Sequence, residues 1–247
     1  MNAQAKPVYD DIGSKFEDFT SSASQRPIEV RTFMGLLGDV TGLTVLDLAC
    51  GHGDFSRRIH QQGAHRVTGV DISPEMIRLA KAQSLVRGDD IHFEVGDVRA
   101  LPRLGQFDVV SAAWLFNYAE DTAQLADMFA SVARNLKPGG RLVAYTVNPD
   151  FELAKGNFTE YGVHVMDQVN LEGGARHRGH FVTEPPSPFT FHRWSAEAYA
   201  AAATAAGLSP PAWRLPCVED ADRLGRGGDY WAVFEANCLQ AAFECMR

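Results

Sequence analysis

The sequence predicts a doubly wound, mostly parallel α/β sheet, and three observations carry that prediction. From Leu43 onward, short β-branched runs alternate with helical patterns, which is the rhythm of successive βαβ units. The first of those runs empties into a glycine-bearing loop, Cys50-Gly51-His52-Gly53, and a helical pattern begins at once. After Asn148 the rhythm changes to segments that alternate like antiparallel strands.

Strand one is expected over Thr44–Leu48, followed by a helix from Asp54 to about Gln62. Strand two is Arg66–Val70. Ser73 then caps a helix whose first turn holds Pro74 and Glu75, as the fixed φ of proline and the helix dipole favour. Met76, Ile77, Leu79 and Ala80 give that helix an apolar face. Strand three is Ile91–Val95 and strand four Phe107–Ala112. A helix from Thr122 to Leu136 should stop at Lys137-Pro138-Gly139-Gly140, and strand five, Arg141–Val147, leaves that turn. Tyr161–Val169, Arg176–Thr183 and Phe189–Trp194 read as inserted strands, set apart by Gly173-Gly174 and a proline cluster. A helix over Ser195–Ala206 and strands Trp213–Cys217 and Leu239–Cys245 would complete the sheet.

The 247 residues suit one domain, 1–247, with four parts. Residues 1–40 would be an N-terminal helical lid, with Tyr9, Phe16, Phe19 and Phe33 as its apolar contacts. Residues 41–147 would be the core, 148–194 a substrate cover of inserted strands, and 195–247 the end of the sheet. Hydrophobic residues make up 45% and charged residues 22%, ordinary for a globular enzyme. A net charge of −8 with no basic stripe argues against a nucleic-acid partner. No apolar stretch is long enough to span a bilayer, and Met1 to Tyr9 lacks the apolar centre of a signal peptide. Cys50, Cys217, Cys238 and Cys245 show no metal-ligand spacing. The expectation is a cytoplasmic protein without metal, a monomer or homodimer.

The loop after strand one carries the chemistry. Its glycines permit positive φ and close backbone approach to a ligand. A dinucleotide would want a third glycine where Ser56 stands, and Asp47 beside a pyrophosphate would repel it. Beside a sulfonium and an α-ammonium the same carboxylate attracts. Asp71, twenty residues beyond Gly51, can accept from ribose hydroxyls. Ile72 and Met76 could sandwich an adenine, while Asp97 could accept from its amino group and Val98 could offer a backbone N–H. Three acidic residues thus close three successive strands. The pattern favours S-adenosylmethionine over NAD.

Val45–Gly53, Val70–Met76, Gly96–Val98, Phe107–Val110 and Leu136–Leu142 resemble the ordered motifs of class I S-adenosylmethionine-dependent methyltransferases. That resemblance implies a seven-stranded sheet with its last strand antiparallel, and S-adenosyl-L-homocysteine as product. Tyr9-Asp10-Asp11-Ile12-Gly13, Ser24-Gln25-Arg26 to Glu29 and the strands after strand five look like those of toxoflavin biosynthetic N-methyltransferases, which methylate ring nitrogens of an azapteridine-like heterocycle, and of related small-molecule methyltransferases. Carried over, Tyr9 would lie near the cofactor's methionine end, Asp47, Ala49, Cys50, Gly51 and Gly53 would line the cofactor, and Ala113 would sit beside the methionyl moiety. Cys50 and His52 fill positions that vary in the family, so neither is expected to be catalytic.

Methyl transfer is an in-line displacement, so alignment is the main task. Trp114 and Tyr118 after strand four, with Tyr9, Asn148, Trp194 and Trp231, are the expected substrate contacts, since rings suit a flat heterocycle. Phe116 follows strand four as well. His164, His177, His180 and His192 fall in the inserted region; His164, His180 and His192 are the candidate bases. Ala113-Trp114-Leu115-Phe116 does not match the tetrad of base-flipping methyltransferases. O- or C-methylation of a small metabolite, and a cofactor-binding module without catalysis, remain the alternative readings.

Overall fold

The structure is a computed structural model and describes residues 23–247. Helix α1 (Arg26–Leu37) precedes β1 (Thr44–Leu48), α2 (Asp54–Gln61), β2 (Arg66–Asp71), α3 (Pro74–Arg87), β3 (His92–Val95) and β4 (Phe107–Ala113). Then come α4 (Thr122–Asn135), β5 (Leu136–Val147), β6 (Val163–Leu171), β7 (Gly174–Phe181), β8 (Ser187–Trp194) and α5 (Ala196–Ala205). The chain finishes with β9 (Ala212–Arg214), two short helices, α6 (Asp220–Arg223) and α7 (Ala232–Ala236), and β10 (Gln240–Met246).

Seven strands form one sheet in the order β3-β2-β1-β4-β5-β10-β9, and β6-β7-β8 form a second. β1 to β5 run parallel, while β10 pairs antiparallel with both β5 and β9. This is the class I methyltransferase fold, with extra antiparallel strands after β5. The strand order reverses between β1 and β4, and open α/β sheets form a crevice at such a switch point.

Local chemistry explains the elements. Ser73 Oγ accepts from Met76 N at 3.2 Å, and Pro74 opens α3 where no N–H is needed. Asp121 and Ser195 cap α4 and α5 in the same way. Leu46, Leu48, Val110 and Ala112 face α4 and α5 on one side of the sheet; Val45, Val67 and Val109 face α1, α2 and α3 on the other. A third core, under the inserted sheet, gathers Phe151, Phe158, Tyr161, Trp231 and Phe234.

Several boundaries differ from the sequence reading. β5 already begins at Leu136, which pairs with Phe107; the register then shifts across the glycine turn, so that Arg141 pairs with Val109. Arg247 and Gly139–Gly140 exchange backbone hydrogen bonds there, which keeps the turn in the sheet. β6 starts two residues late because Gly162 is left-handed, at φ 95°. β9 stops at Arg214 rather than Cys217, since Pro216 has no N–H to give a neighbouring strand. Tyr9, Phe16 and Phe19 lie outside the described residues. The described part of the expected lid is α1, a core helix whose Phe33 and Leu37 are fully buried.

Candidate cofactor crevice and acceptor cleft

The carboxyl ends of β1, β2 and β3 are stitched together by backbone. Cys50 N donates to Val70 O at 3.1 Å, Gly51 N to the Asp71 carboxylate at 2.8 Å, and Gly96 N to Asp71 O at 2.9 Å. Asp71 also accepts from Ser73 N at 2.9 Å, so one side chain braces two loops. Gly51, at φ 54°, has open space where a Cβ would point, whereas a Cβ on Gly53 would stand 2.7 Å from the Phe93 ring. The loop therefore needs glycine twice for different reasons: once for conformation beside a void, once for close packing.

Asp47 lies beneath this loop, 1% exposed, and accepts from Ser56 Oγ at 2.5 Å and Ser111 Oγ at 2.8 Å. Burial pushes its carboxyl up to about 6, against the pull of the two serines. Burial likewise holds the Cys50 thiol well above its ordinary range, which makes it a packing group. Ile72 is 43% exposed at the mouth of the crevice, while Met76 faces inward, 2% exposed. Only Ile72 of that expected pair offers free surface. Asp97 caps the turn Val98–Ala100 and its carboxylate is met by Arg99 at 2.6 Å; Val98 is buried.

Among the described residues, two that are not glycine have left-handed backbones, Ala49 at φ 55° and Trp114 at φ 61°. They follow β1 and β4, the two strands that flank the switch point, where Leu48 pairs with Ala112. Strain of this kind persists where its surroundings fix it, and here it turns the chain at both lips of the crevice. Ala113 ends β4, and Trp114 N is held by Tyr145 O at 2.7 Å.

Trp114 leads into a cleft of about 630 Å³, open solvent at its mouth included. Its walls are Trp114 and Tyr118 after β4, Val163, Phe181, Phe189 and Phe191 of the inserted sheet, Val147 and Leu239. The first turn of α1 supplies the polar edge with Gln25, Arg26 and Glu29, joined by Asn117 and Gln240. Glu29 is 5% exposed; one of its oxygens accepts from Trp114 Nε1 at 2.8 Å and from Arg26 at 2.6 Å. Phe181 and Phe189 stack at 4.1 Å between centroids. Such a slot suits a flat, apolar-bodied molecule.

The structure brings Trp114 and Tyr118 to the cleft but takes three other expected contacts elsewhere. Trp194 is buried against α4 and α5, because it lies on the opposite face of β8 from Phe189 and Phe191. Trp231 stacks on Tyr161 in the third core and donates to Asp222 O at 3.1 Å. Asn148 is spent on backbone, donating to Cys238 O and accepting from Asp150 N. Tyr9 lies outside the described residues.

The histidines are corrected by the same alternation. His164 and His180 pair directly across β6 and β7 on the face away from Val163 and Phe181, and His164 binds Thr159 Oγ1 at 2.8 Å. His192 is buried on that outer face at its other end, stacked on Trp194, with burial lowering its basicity. His177 shares the inner face but lies flat on Phe191, and burial lowers it to about 4. Among the described residues no histidine lines the cleft. Gln25, Arg26, Glu29, Phe181, Phe189 and Phe191 carried no assigned role from sequence. The period-two pattern of β8 was the available signal for the two phenylalanines on that strand.

Among the described residues no group of three potential metal ligands comes together, and no helix is long and apolar enough to cross a membrane.

Residues 45–140 match the profile of a family described as a methyltransferase domain. The demethylmenaquinone methyltransferase of Lactococcus lactis subsp. lactis (strain IL1403) is 32% identical over 171 residues, 66% of this chain and 66% of that protein. The ubiquinone biosynthesis O-methyltransferase of Xylella fastidiosa (strain M23) is 30% identical over 146 residues, 54% of this chain and 58% of that protein. The chain thus spans somewhat under two thirds of the length of these curated relatives. A crystal structure of an S-adenosylmethionine-dependent methyltransferase from Mesorhizobium loti superposes with a TM-score of 0.65 at 23% identity, covering 92% of this chain and all of that one, a likeness of fold.

Proposed function

We propose that this chain, whose residues 45–140 match a methyltransferase domain, uses S-adenosylmethionine to methylate a ring nitrogen of a small planar heterocycle of the toxoflavin type. The observation that carries the reading is the aromatic cleft walled in part by Trp114, the residue that follows β4 at the switch point.

The crevice fits the cofactor in its donor set. Asp71 would hold the ribose hydroxyls, and Ile72 would cover one adenine face. Ala49, Gly51 and Gly53 would let the backbone close on the methionyl part, Ala113 would border it, and Asp47 would supply negative charge from below. Cys50, Met76 and Val98 would support that wall from within, and Asp97 would reach the adenine edge. When bound, the cofactor supplies an activated methyl group on a sulfonium. The chain's own task is then to hold the acceptor in line, and the stacked walls of the cleft are suited to that.

Reaction at a ring nitrogen accords with the polar groups described at the cleft. A lone pair on nitrogen attacks without prior loss of a proton, whereas a phenol needs a base. Glu29, the one carboxylate among the described lining residues, is already shared between Arg26 and Trp114. The names of the curated relatives favour a second reading, O- or C-methylation of a quinol-like ring. Labelled S-adenosylmethionine offered with a panel of N-heterocycles, phenols and quinols separates the two. Turnover of heterocycles is expected; label appearing only in phenols or quinols would replace the first reading with the second.

A further inference from the structure

The cofactor loop and the acceptor cleft are joined by a chain of polar contacts that neither site accounts for alone. Asp54 is the first residue of α2, directly after Gly53. Its carboxylate meets Arg26 Nη2 at 2.5 Å; Arg26 Nη1 meets Glu29 Oε1 at 2.6 Å; and that same oxygen takes the Trp114 indole N–H at 2.8 Å. The Arg26 guanidinium lies 4.6 Å over the Phe55 ring, which fixes its plane.

We propose that Arg26 and Glu29 are positioning residues that transmit occupancy of the Cys50–Gly53 loop to the Trp114 ring in the acceptor cleft. The inference rests on the reading of that loop as the adenosyl site.

The physical argument is one of shared partners. The fork of Arg26 spans two carboxylates, so a displacement of Asp54 moves the guanidinium and redistributes charge on Glu29. The Glu29 side chain is 7% exposed and Arg26 16%, so water competes poorly for either group. Trp114 has few other ways to respond: its backbone is fixed at φ 61° and its ring edge packs on Tyr145 at 5.4 Å, leaving rotation about the side chain as the soft coordinate. A loop that closes on a ligand would thereby set the ring at the angle the acceptor meets. Glu29 touches neither reacting atom in this account; it acts through the indole.

The test uses full-length protein labelled with 5-fluorotryptophan, which gives separate ¹⁹F resonances for Trp114, Trp194, Trp213 and Trp231. Trp114→Phe identifies the resonance of interest. Adding S-adenosylhomocysteine to the unsubstituted protein is expected to shift the Trp114 signal. In Glu29→Gln, which keeps the shape and loses the charge, that shift should be lost, although calorimetry still registers S-adenosylhomocysteine binding. Arg26→Gln should do the same, and unchanged signals from the three other tryptophans establish that each variant is folded. A Trp114 shift that survives both substitutions overturns the proposal, as does a Trp114 signal that never responds to bound ligand. Failure of S-adenosylhomocysteine to bind the unsubstituted protein would instead overturn the cofactor reading beneath it.

Discussion

The crevice above β1, β2 and β3 and the cleft beside it are built on opposite plans. The crevice draws on a nearly continuous stretch, Asp47 to Val98, and its shape comes from backbone hydrogen bonds and glycine conformations. The cleft draws on residues from Gln25 to Gln240, and its shape comes from side chains on separate elements. One is polar and braced by Asp71; the other is mostly apolar and walled by rings. Local construction suits a ligand that stays the same, and distributed construction lets the acceptor vary without disturbing it.

The largest expected effect comes from breaking the crevice. Asp71→Ala removes a carboxylate that holds two backbone N–H groups and, by our reading, the ribose. Losing those charged hydrogen bonds should cost about 2–3 kcal/mol, or roughly 30- to 150-fold in S-adenosylhomocysteine affinity by calorimetry. Unchanged affinity would mean that the crevice is not the adenosyl site.

Asp47 sharpens the comparison through pH. Its folded-state value near 6 exceeds the ordinary 3.8, so the folded chain favours the protonated acid. The stability it contributes is greatest below the unfolded value and declines as pH rises through that window, levelling off above about 6. This preference for the protonated acid is worth about 3 kcal/mol at most. Asp47→Asn should therefore remove this decline from the melting temperature of the ligand-free protein between pH 4 and 6. Binding of the cationic S-adenosylmethionine should strengthen over the same interval in the unsubstituted protein and not in the variant. Parallel profiles for the two proteins would show that Asp47 does not sense the cofactor.

The cleft should respond in the complementary manner. Phe189→Ala removes one ring of the stacked wall, and loss of an aromatic contact of about 1 kcal/mol should lower kcat/KM for a planar acceptor about fivefold. S-adenosylhomocysteine affinity should stay unchanged in the same preparation. A variant that weakened both ligands equally would erase the distinction between the two sites.

The smallest effect is expected at the outer face of the inserted sheet. His164→Ala and His180→Ala should leave methyl transfer within about twofold of the unsubstituted rate, since both rings face away from the cleft. A large loss of kcat with folding intact would return a base to His164 or His180.

How much was legible in the sequence follows the same division. Strands β1 to β5, their helices and the antiparallel insert were readable from local periodicity and punctuation, whereas the side-by-side order of the strands was not. The spacing implied that Gly51 and Asp71 follow successive strands, but not that the Gly51 N–H meets the Asp71 carboxylate. Glu29 was not legible, because its partner Trp114 lies 85 residues away and nothing local marks a carboxylate on a core helix as part of a cleft. Trp194 and Trp231 attracted attention by residue type, yet a large ring fills a core as readily as it lines a slot. Strand parity alone turns Trp194 away from Phe189 and Phe191. Parity alone could not have said that the face bearing His192 is covered at one end and open at the other.

The left-handed turns at Ala49 and Trp114 have an implication for anyone who sets out to toughen this protein. Each holds an L-residue where glycine would rest more easily, at a cost of about 1 kcal/mol. Relief of that strain alone would favour glycine at Ala49, whereas at Trp114 the packing of the indole on Tyr145 and its hydrogen bond to Glu29 outweigh it. At Ala49 the exchange trades a methyl group for looseness in the turn. At Trp114 it would discard the ring that, by our reading, links the two halves, and with it more packing than the relieved strain returns.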